Sequence, residues 1–291
     1  KRMSLDLYKT QHRGGKGMNG ITTREEDFVE NIFVTNTHHD LLFFTNRGRV
    51  FRLKAYQIPE SGRTARGTAI VNLLALDGDE KISAVIPADV QDEGALLMAT
   101  RFGLIKQTAL SEFKNLRNSG LIAVVLRPED ELIGVALIQD ERDEVLIGTR
   151  GGMCIRFEQS QVRQTGRVAQ GVRSIELGED DCVVDMQVIT PQQDGMVLAI
   201  SENGYGKRSP LEEFRCQTRA GKGVRAMNLS DRTGALAAQK IVREDEDIIA
   251  ITDDGTIIRF EAAGVSALGR LTQGVRVMRV EEGARIVSIV A

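Results

Sequence analysis

One short pattern recurs five times along the chain, and this repetition constrains the fold more than any other feature of the sequence. In each copy an apolar run leads into a tight turn that ends on glycine, and a second β-rich run follows. Glycine supplies the positive φ that a tight hairpin turn requires. The turn glycines are Gly48, Gly103, Gly152, Gly204 and Gly255.

A second glycine follows each turn glycine at a nearly constant distance, 19 residues in four copies and 17 in the other. This second set is Gly67, Gly120, Gly171, Gly223 and Gly274, and Gly17 is a sixth member with no turn glycine before it. We expect these glycines to be structural, because they let the chain turn so that each connector points outward. Counting back from Gly17 places its turn upstream of Lys1, so we expect six repeats, the first lacking its N-terminal strands.

The repeats predict an all-β ring. We place them at about residues 1–38, 39–91, 92–141, 142–192, 193–244 and 245–291, within one domain that spans residues 1–291. The last repeat shows four β-rich stretches, at 248–252, 257–260, 274–279 and 285–290. Four strands in a repeat of roughly 40–50 residues are typical of a propeller. The prediction is a six-bladed propeller-like ring of about four-stranded blades. An open β-solenoid is the alternative, although its repeats are usually much shorter.

Charge is segregated within the repeat. We use the word connectors for the segments that run from the turn glycine to the second glycine or just past it, at 1–17, 48–66, 103–120, 152–173, 204–225 and 255–276. They contain 26 basic and seven acidic residues, whereas the remaining 171 residues have a net charge of −22. In a ring, equivalent connectors lie at equivalent places, which predicts a positive band around the rim. Such a band favours a nucleic-acid partner over a plain solvated surface, although the whole chain has a net charge of −3.

The first connector contains a glycine-rich motif with flanking charge: Gln11, His12, Arg13, Gly14, Gly15, Lys16 and Gly17. Its glycines let backbone N–H groups approach an anion closely, and Arg13 and Lys16 add positive charge. The motif is not a nucleotide-binding P-loop, because Gly17 stands where that loop has Ser or Thr. A glycine-rich turn with incidental charge is the alternative interpretation.

These seven residues resemble the GyrA box, the motif that marks the C-terminal domain family of the DNA gyrase A protein. The usual form has Arg where this chain has His12. Segments 25–28, 61–72, 130–135 and 203–208 are also similar to that family. The resemblance implies a β-pinwheel whose blades exchange a hairpin, and duplex DNA wrapped right-handed around the basic rim without sequence specificity. It further implies a positive crossover presented to the gyrase core for ATP-dependent negative supercoiling.

The resemblance also implies site residues and partners. Gln11 to Gly17 would anchor the wrap, and the partners would be double-stranded DNA and the rest of gyrase A with gyrase B, two copies of each. The protein would be cytoplasmic and bacterial, associated with the nucleoid through DNA, with no membrane contact. Residues expected to hold successive phosphates are Arg63, Arg66, Lys114, Arg117, Arg163, Arg167, Arg173, Lys207, Arg208, Arg219, Lys222, Arg225, Arg270 and Arg276.

We expect no catalysis and no cofactor or metal in this chain, with ATP and Mg used by other domains of the parent enzyme. The tyrosines, Tyr8, Tyr56 and Tyr205, lie in no local cluster that suggests metal or arginine support, and we expect Tyr8 and Tyr56 to be packed strand residues. The three cysteines are scattered, without the paired spacing of a zinc site.

Three alternative functions remain. A topoisomerase IV-type C-terminal DNA-binding domain would lack the seven-residue box. A protein-interaction propeller resembling the WD40 family would show Trp-Asp pairs, and the chain has no Trp. An enzyme with a site in the central channel would need inward-facing polar clusters, whereas the strands predicted there are apolar.

Overall fold

The computed structural model describes residues 1–4, 33–62, 65–88, 93–116, 119–191, 193–254 and 256–290. Within them the chain forms 19 β-strands and six single-turn 3₁₀ helices. The strands are β1 Asp40–Thr45, β2 Arg49–Lys54, β3 Ile82–Pro87, β4 Ala95–Thr100, β5 Leu104–Ala109, β6 Leu121–Ile122, β7 Leu132–Ile138, β8 Glu144–Thr149, β9 Met153–Glu158, β10 Val172–Arg173, β11 Val183–Ile189, β12 Met196–Ser201, β13 Tyr205–Pro210, β14 Val224–Arg225, β15 Leu236–Val242, β16 Asp247–Thr252, β17 Ile257–Glu261, β18 Val275–Arg276 and β19 Ile286–Val290.

The strands form five antiparallel sheets with one shared plan. Four sheets have four strands, in the orders β3-β1-β2-β6, β7-β4-β5-β10, β11-β8-β9-β14 and β15-β12-β13-β18, and the fifth has the order β19-β16-β17. The first strand of each order contacts its counterpart in the neighbouring sheet. The all-β, propeller-like prediction is therefore confirmed, with five blades visible in the described residues.

The outermost strand of each four-stranded sheet comes from the following repeat. For example, β14 pairs with β9, with Val224 opposite Cys154 and Arg225 opposite Met153. The same exchange joins β6 to β2, β10 to β5 and β18 to β13. Each repeat is thus tied to its neighbour by backbone hydrogen bonds, the exchange that the family resemblance implied.

Both glycine sets occupy backbone conformations that favour glycine. The turn glycines Gly48, Gly103, Gly152 and Gly204 have φ between 75° and 82°, whereas Gly255 lies outside the described residues. Five second glycines, Gly67, Gly120, Gly171, Gly223 and Gly274, have φ between 74° and 98°, and Gly17 lies outside the described residues. At Gly223 a Cβ atom would lie 2.3 Å from the carbonyl oxygen of Cys154 on the neighbouring blade. The second glycine therefore permits the close approach through which the exchanged strand joins its sheet.

The cores lie between adjacent sheets. Leu42 and Phe44 of one blade pack with Leu96 and Met98 of the next, and all four side chains are fully buried. Long apolar runs such as β1 and β4 are buried on both faces for this reason.

The innermost strands line a cavity of about 680 Å³. Ser83, Ile133, Val184, Ala237 and Val287 contribute one side chain from each innermost strand to its wall. The expectation of a purely apolar wall is wrong, because the wall also contains an ion pair in which Lys240 Nζ lies 3.0 Å from Asp185 Oδ2.

Candidate nucleic-acid interface

The connectors present a set of exposed basic side chains, which we call the basic rim. Three of these side chains, Arg173, Arg225 and Arg276, stand at the same position, the second residue of an exchanged strand. All seven are exposed: Arg66, Lys114, Arg163, Arg173, Lys222, Arg225 and Arg276. This part of the expected surface is solvent-accessible.

The basic rim lacks acidic partners. Among the described residues, no carboxylate lies within the 4 Å of an ion pair to any of its seven side chains. Exposed arginines at the hairpin turns behave differently: Arg47 pairs with Asp79, and Arg150 pairs with Glu202 at 2.6 Å. Positive charge that is exposed and unneutralised is the form in which a protein surface attracts phosphates.

A second class of connector arginine is half-buried and joins neighbouring connectors. Arg167 donates from Nη1 to the carbonyl oxygen of Ile122 at 3.2 Å, and Arg270 donates to that of Arg225 at 3.0 Å. Arg219 donates in the same way to the carbonyl oxygen of Arg173. Each acceptor is the last residue of an exchanged strand. These three arginines therefore hold the rim together as well as contributing charge to it.

The expectation that Lys207 and Arg208 add exposed charge to the rim is wrong. Both side chains are buried, at 0% and 5% exposure. Lys207 donates from Nζ to the carbonyl oxygens of Gly269, at 2.8 Å, and of Arg270. Arg208 donates from Nε to the carbonyl oxygen of Val265 at 2.8 Å. Arg208 Nη1 also pairs with the carboxylate of Glu244 at 3.4 Å. Both side chains are therefore held within the fold, so they are structural.

Lys106 is the counterpart of Lys207, three residues after the turn glycine of its own repeat, and it was not predicted from the sequence. Its Nζ donates to the carbonyl oxygens of Ala123, Gly166, Arg167 and Ala169 at 2.7–3.2 Å. Burial lowers the pKa of both lysines to about 8. At Lys106, repulsion from the positive charge of Arg167 lowers the pKa further. At Lys207, the negative charge of Glu213 opposes the lowering. Lysine at the same distance after two turn glycines was the signal that could have identified the pair.

Tyr205 also differs from its prediction. Arg232 Nε and Arg276 Nη2 each donate to its hydroxyl oxygen at 2.8 Å, and these bonds lower the pKa of the phenol, with the bond from Arg232 contributing most. The arginine support was invisible in the local sequence, since Arg276 lies 71 residues away. Tyr205 is only 3% exposed.

The prediction that Tyr56 is packed is wrong, because 52% of it is exposed.

Acidic residues outside the connectors hold the hairpin turns. Asp130 accepts the backbone N–H of Phe102 at 2.9 Å, and Asp181 accepts that of Gly151 at 2.7 Å. Glu80 accepts a hydrogen bond from the hydroxyl of Thr45 at 2.6 Å. These carboxylates therefore lie at the hairpin turns, near the place where Arg173, Arg225 and Arg276 pair with the residues that follow the turn glycines. The predicted separation of acidic residues from the basic rim stays a prediction.

Several predicted site residues lie outside the described residues: Gln11, His12, Arg13, Gly14, Gly15, Lys16, Gly17, Arg63 and Arg117. Elsewhere in the chain, the described residues contain no group of three or more His, Cys, Asp or Glu side chains that could hold a metal ion. A search of the same residues for helices finds none with the length and apolarity needed to cross a membrane.

The exchanged strands, the repeated sheets and the basic rim define a propeller of the pinwheel type. A family model described as the DNA gyrase C-terminal domain, beta-propeller, matches six consecutive segments of the chain: residues 1–36, 39–89, 95–139, 143–190, 195–239 and 246–291. The chain belongs to this family.

Full-length relatives agree with the family assignment. The chain is 41% identical over 293 residues to the DNA gyrase A protein of Staphylococcus epidermidis, a match that covers 100% of the chain and 33% of the relative. It is 42% identical over 290 residues to that of Salmonella typhimurium, covering 99% of the chain and 33% of the relative. The chain thus spans about a third of the length of these relatives.

Two solved structures share the fold along nearly the whole chain. A crystal structure of the C-terminal domain of DNA topoisomerase IV is 28% identical, with a TM-score of 0.87 over 99% of this chain and 88% of that one. A structure of the DNA gyrase A C-terminal domain is 26% identical, with a TM-score of 0.75 over 99% of this chain and 94% of that one.

Proposed function

We propose that this chain binds duplex DNA along its basic rim and wraps it with right-handed sense. The observation that carries the proposal is the set of seven exposed basic side chains without carboxylate partners among the described residues, which recur from repeat to repeat. Arg173, Arg225 and Arg276 occupy equivalent positions on successive blades, so they would meet successive phosphates along a curved duplex. Contacts of this kind bind DNA without reading its sequence.

The half-buried arginines contribute to the same surface. Arg167, Arg219 and Arg270 are partly exposed, and each donates at least one N–H group to the neighbouring connector. We assign to the same surface Arg63 and Arg117 from the sequence alone. Gln11 to Gly17 would anchor the DNA, because its glycines would expose backbone N–H groups between two basic side chains.

In the complete enzyme, the wrap would present a positive crossover to the gyrase core, which would convert it to negative supercoils with ATP. The chain itself would break no bonds in DNA. Its protein partners would be the rest of gyrase A and gyrase B, and ATP and Mg would act in other domains. Its location would be the cytoplasm, with the nucleoid reached through DNA.

The direct test relaxes nicked circular DNA in the presence of the chain, seals it with ligase and measures the linking number after the protein is removed. Right-handed wrapping gives a positive shift that grows with the amount of bound protein. Replacing Gln11 to Gly17 with alanines should abolish or sharply reduce the shift. Replacing Arg243 with alanine is the control, because Arg243 belongs to no connector and is exposed and paired with Asp245 and Glu246. Tight binding without a shift would contradict wrapping.

A topoisomerase IV-type role is the second candidate, favoured by the TM-score of 0.87 to that C-terminal domain. In that role the rim would hold DNA without wrapping it, and the seven-residue motif would contribute little. Binding that survives the alanine replacement, with no linking-number shift in either protein, is the outcome that selects this alternative.

A further inference from the structure

Two connectors expose a large aliphatic side chain beside an arginine, at a position three residues before the second glycine that we call the tip of the connector. Val168 is 71% exposed and Leu271 is 61% exposed. They occupy the same position, three residues before a second glycine, and directly follow Arg167 and Arg270. Single exposed aliphatic residues are common on protein surfaces, so the observation that counts is their recurrence at matching positions, where contact with a ligand would bury them.

The buried lysines fix these same two tips. Lys106 Nζ bonds to the carbonyl oxygens of Gly166, Arg167 and Ala169, the residues on both sides of Val168. Lys207 Nζ bonds to those of Gly269 and Arg270, immediately before Leu271. A backbone held by a buried ammonium presents its side chain in one orientation, which reduces the entropy lost when that side chain contacts a ligand.

The Ala220 position, three residues before Gly223, is the equivalent place in the connector between them, and it has neither feature. Ile155, which follows its turn glycine at the same distance as Lys106 and Lys207, lies beside this segment, and alanine replaces the large aliphatic residue. Ala220 adopts a left-handed φ of 68°. Among the three tips in the part of the chain that the structure describes, the buried lysine and the large exposed aliphatic residue occur together or not at all. This co-occurrence indicates that the buried lysine and the exposed aliphatic residue act together.

We propose that Val168 and Leu271 are wedges that enter the minor groove and partly unstack a base step where the duplex turns around the rim. The proposal rests on the proposed binding of duplex DNA to this surface. Proteins that bend DNA insert apolar side chains between base steps and thereby kink the duplex by roughly 20–90°. The neighbouring arginines would hold phosphates on either side of the groove while the aliphatic side chain contacts sugars and base edges.

The arrangement predicts alternation along the wrap. The two wedges lie two repeats apart, with the Ala220 tip between them. DNA would be kinked at the first and third of these tips and held only through its phosphates at the middle one. Pyrimidine–purine steps unstack easily, so they should be preferred at the kinks even though no base is read by hydrogen bonds.

The experiment compares the unmodified chain with the double variant Val168→Ala, Leu271→Ala on nicked circular DNA. Permanganate oxidises unstacked thymines, so it reports the kinks, while ligation and linking-number measurement report the wrap. We expect the double variant to lose at least half of the permanganate signal and at least half of the linking-number shift. Its affinity should stay within about twofold and its salt dependence unchanged, because no phosphate contact is removed.

A second variant and a control separate the wedge from simpler explanations. Leu271→Lys adds a positive charge at this position; the variant should bind at least as tightly as the unmodified chain and still lose the unstacking due to Leu271, while Val168 keeps its own. Val287→Ala removes an aliphatic side chain that is 55% exposed on the wall of the cavity lined by the innermost strands, and it should change neither signal.

The outcomes distinguish this proposal from the function on which it rests. A normal shift in the unmodified chain, with equal shift and permanganate signal in the double variant, overturns the wedges and leaves wrapping intact. The wedges are also wrong if the double variant wraps normally and instead loses its association with the rest of gyrase, which would make the tips a protein-docking site. Failure of the unmodified chain to shift the linking number removes both proposals together.

Discussion

Lys207 donates a hydrogen bond from Nζ to the carbonyl oxygen of Gly269 over 2.8 Å, across 62 residues of chain. The lysine belongs to the second strand of one blade, and the acceptor belongs to the next connector. Lys106 makes the equivalent contact with Gly166 at 3.0 Å. The position of a connector tip is therefore fixed by an ammonium group beneath it, in addition to the exchanged strand beside it.

Removing this ammonium should destabilise the fold. In Lys106→Met the carbonyl oxygens of Ala123, Gly166, Arg167 and Ala169 lose their common donor. A buried polar group without a partner costs about 1–3 kcal/mol, and loss of the desolvated charge offsets part of the total. We expect the free energy of unfolding in urea to fall by about 1–3 kcal/mol. Lys222→Met, at an exposed position, should change it by less than about 0.5 kcal/mol. Equal effects in the two variants would contradict the structural role of Lys106.

The same lysine predicts a pH dependence. Burial lowers the pKa of Lys106 to about 8, whereas lysine in an unfolded chain titrates near about 10.4. Between these values the unfolded chain binds more protons than the folded one, so the contribution of Lys106 to stability rises with pH. Below about pH 8 both states are protonated and the contribution is constant. The difference in unfolding free energy between the unmodified chain and Lys106→Met should therefore grow from about pH 8 to about pH 10.

The difference in unfolding free energy between the two proteins cancels the contributions of other groups that titrate between about pH 8 and about pH 10. Burial raises the pKa of the Cys154 thiol to about 12, which gives an opposite slope, but it does so in both proteins. A difference that stays flat or falls as the pH rises would show that Lys106 retains its proton in the fold.

Exposed and buried arginines should differ in their effect on salt dependence. If Arg173 and Arg225 each contact a phosphate, replacing both with alanine should reduce the slope of log affinity against log salt by about 0.9 per contact. Arg208→Ala should leave that slope unchanged and lower stability instead, because its Nε donates to the buried carbonyl oxygen of Val265. Binding measured at several salt concentrations and unfolding in urea give the two readouts. A change of slope in Arg208→Ala would place that side chain on the DNA after all.

Much of the fold could be predicted from the sequence because the repeat places glycine where the backbone requires it. The stretch predicted at 257–260 is the strand Ile257–Glu261, and that at 285–290 is Ile286–Val290. Pairing could not be predicted from spacing alone. Val275–Arg276 falls within a predicted stretch but pairs with β13 of the preceding repeat. A pattern that repeats every 50 to 53 residues fits pairing within one repeat and pairing with the preceding repeat equally well.

The site was harder to predict because charge in a sequence says nothing about burial. Lys207 and Lys222 look alike as basic residues of one connector, yet Lys207 is buried and Lys222 is exposed. The difference follows from position: Lys207 lies inside the strand Tyr205–Pro210, whereas Lys222 lies just before a second glycine. Contacts across 62 to 71 residues, such as those of Lys207 and Tyr205, depend on how neighbouring repeats pack and leave no local trace.

The second glycines offer the sharpest test of how the blades are joined. Gly223 has a φ of 74°, and a Cβ atom there would lie 2.3 Å from the carbonyl oxygen of Cys154. Cys154 is the residue of β9 that pairs with Val224 of β14. Gly223→Ala should therefore lower the free energy of unfolding by at least about 2 kcal/mol, through left-handed strain and separation of β14 from β9. Gly166→Ala is the matched control, since an added Cβ would meet nothing within 4 Å. It should be neutral or slightly stabilising, by up to about 1 kcal/mol. Similar losses in both variants would show that glycine at the exchange point is not required for close approach.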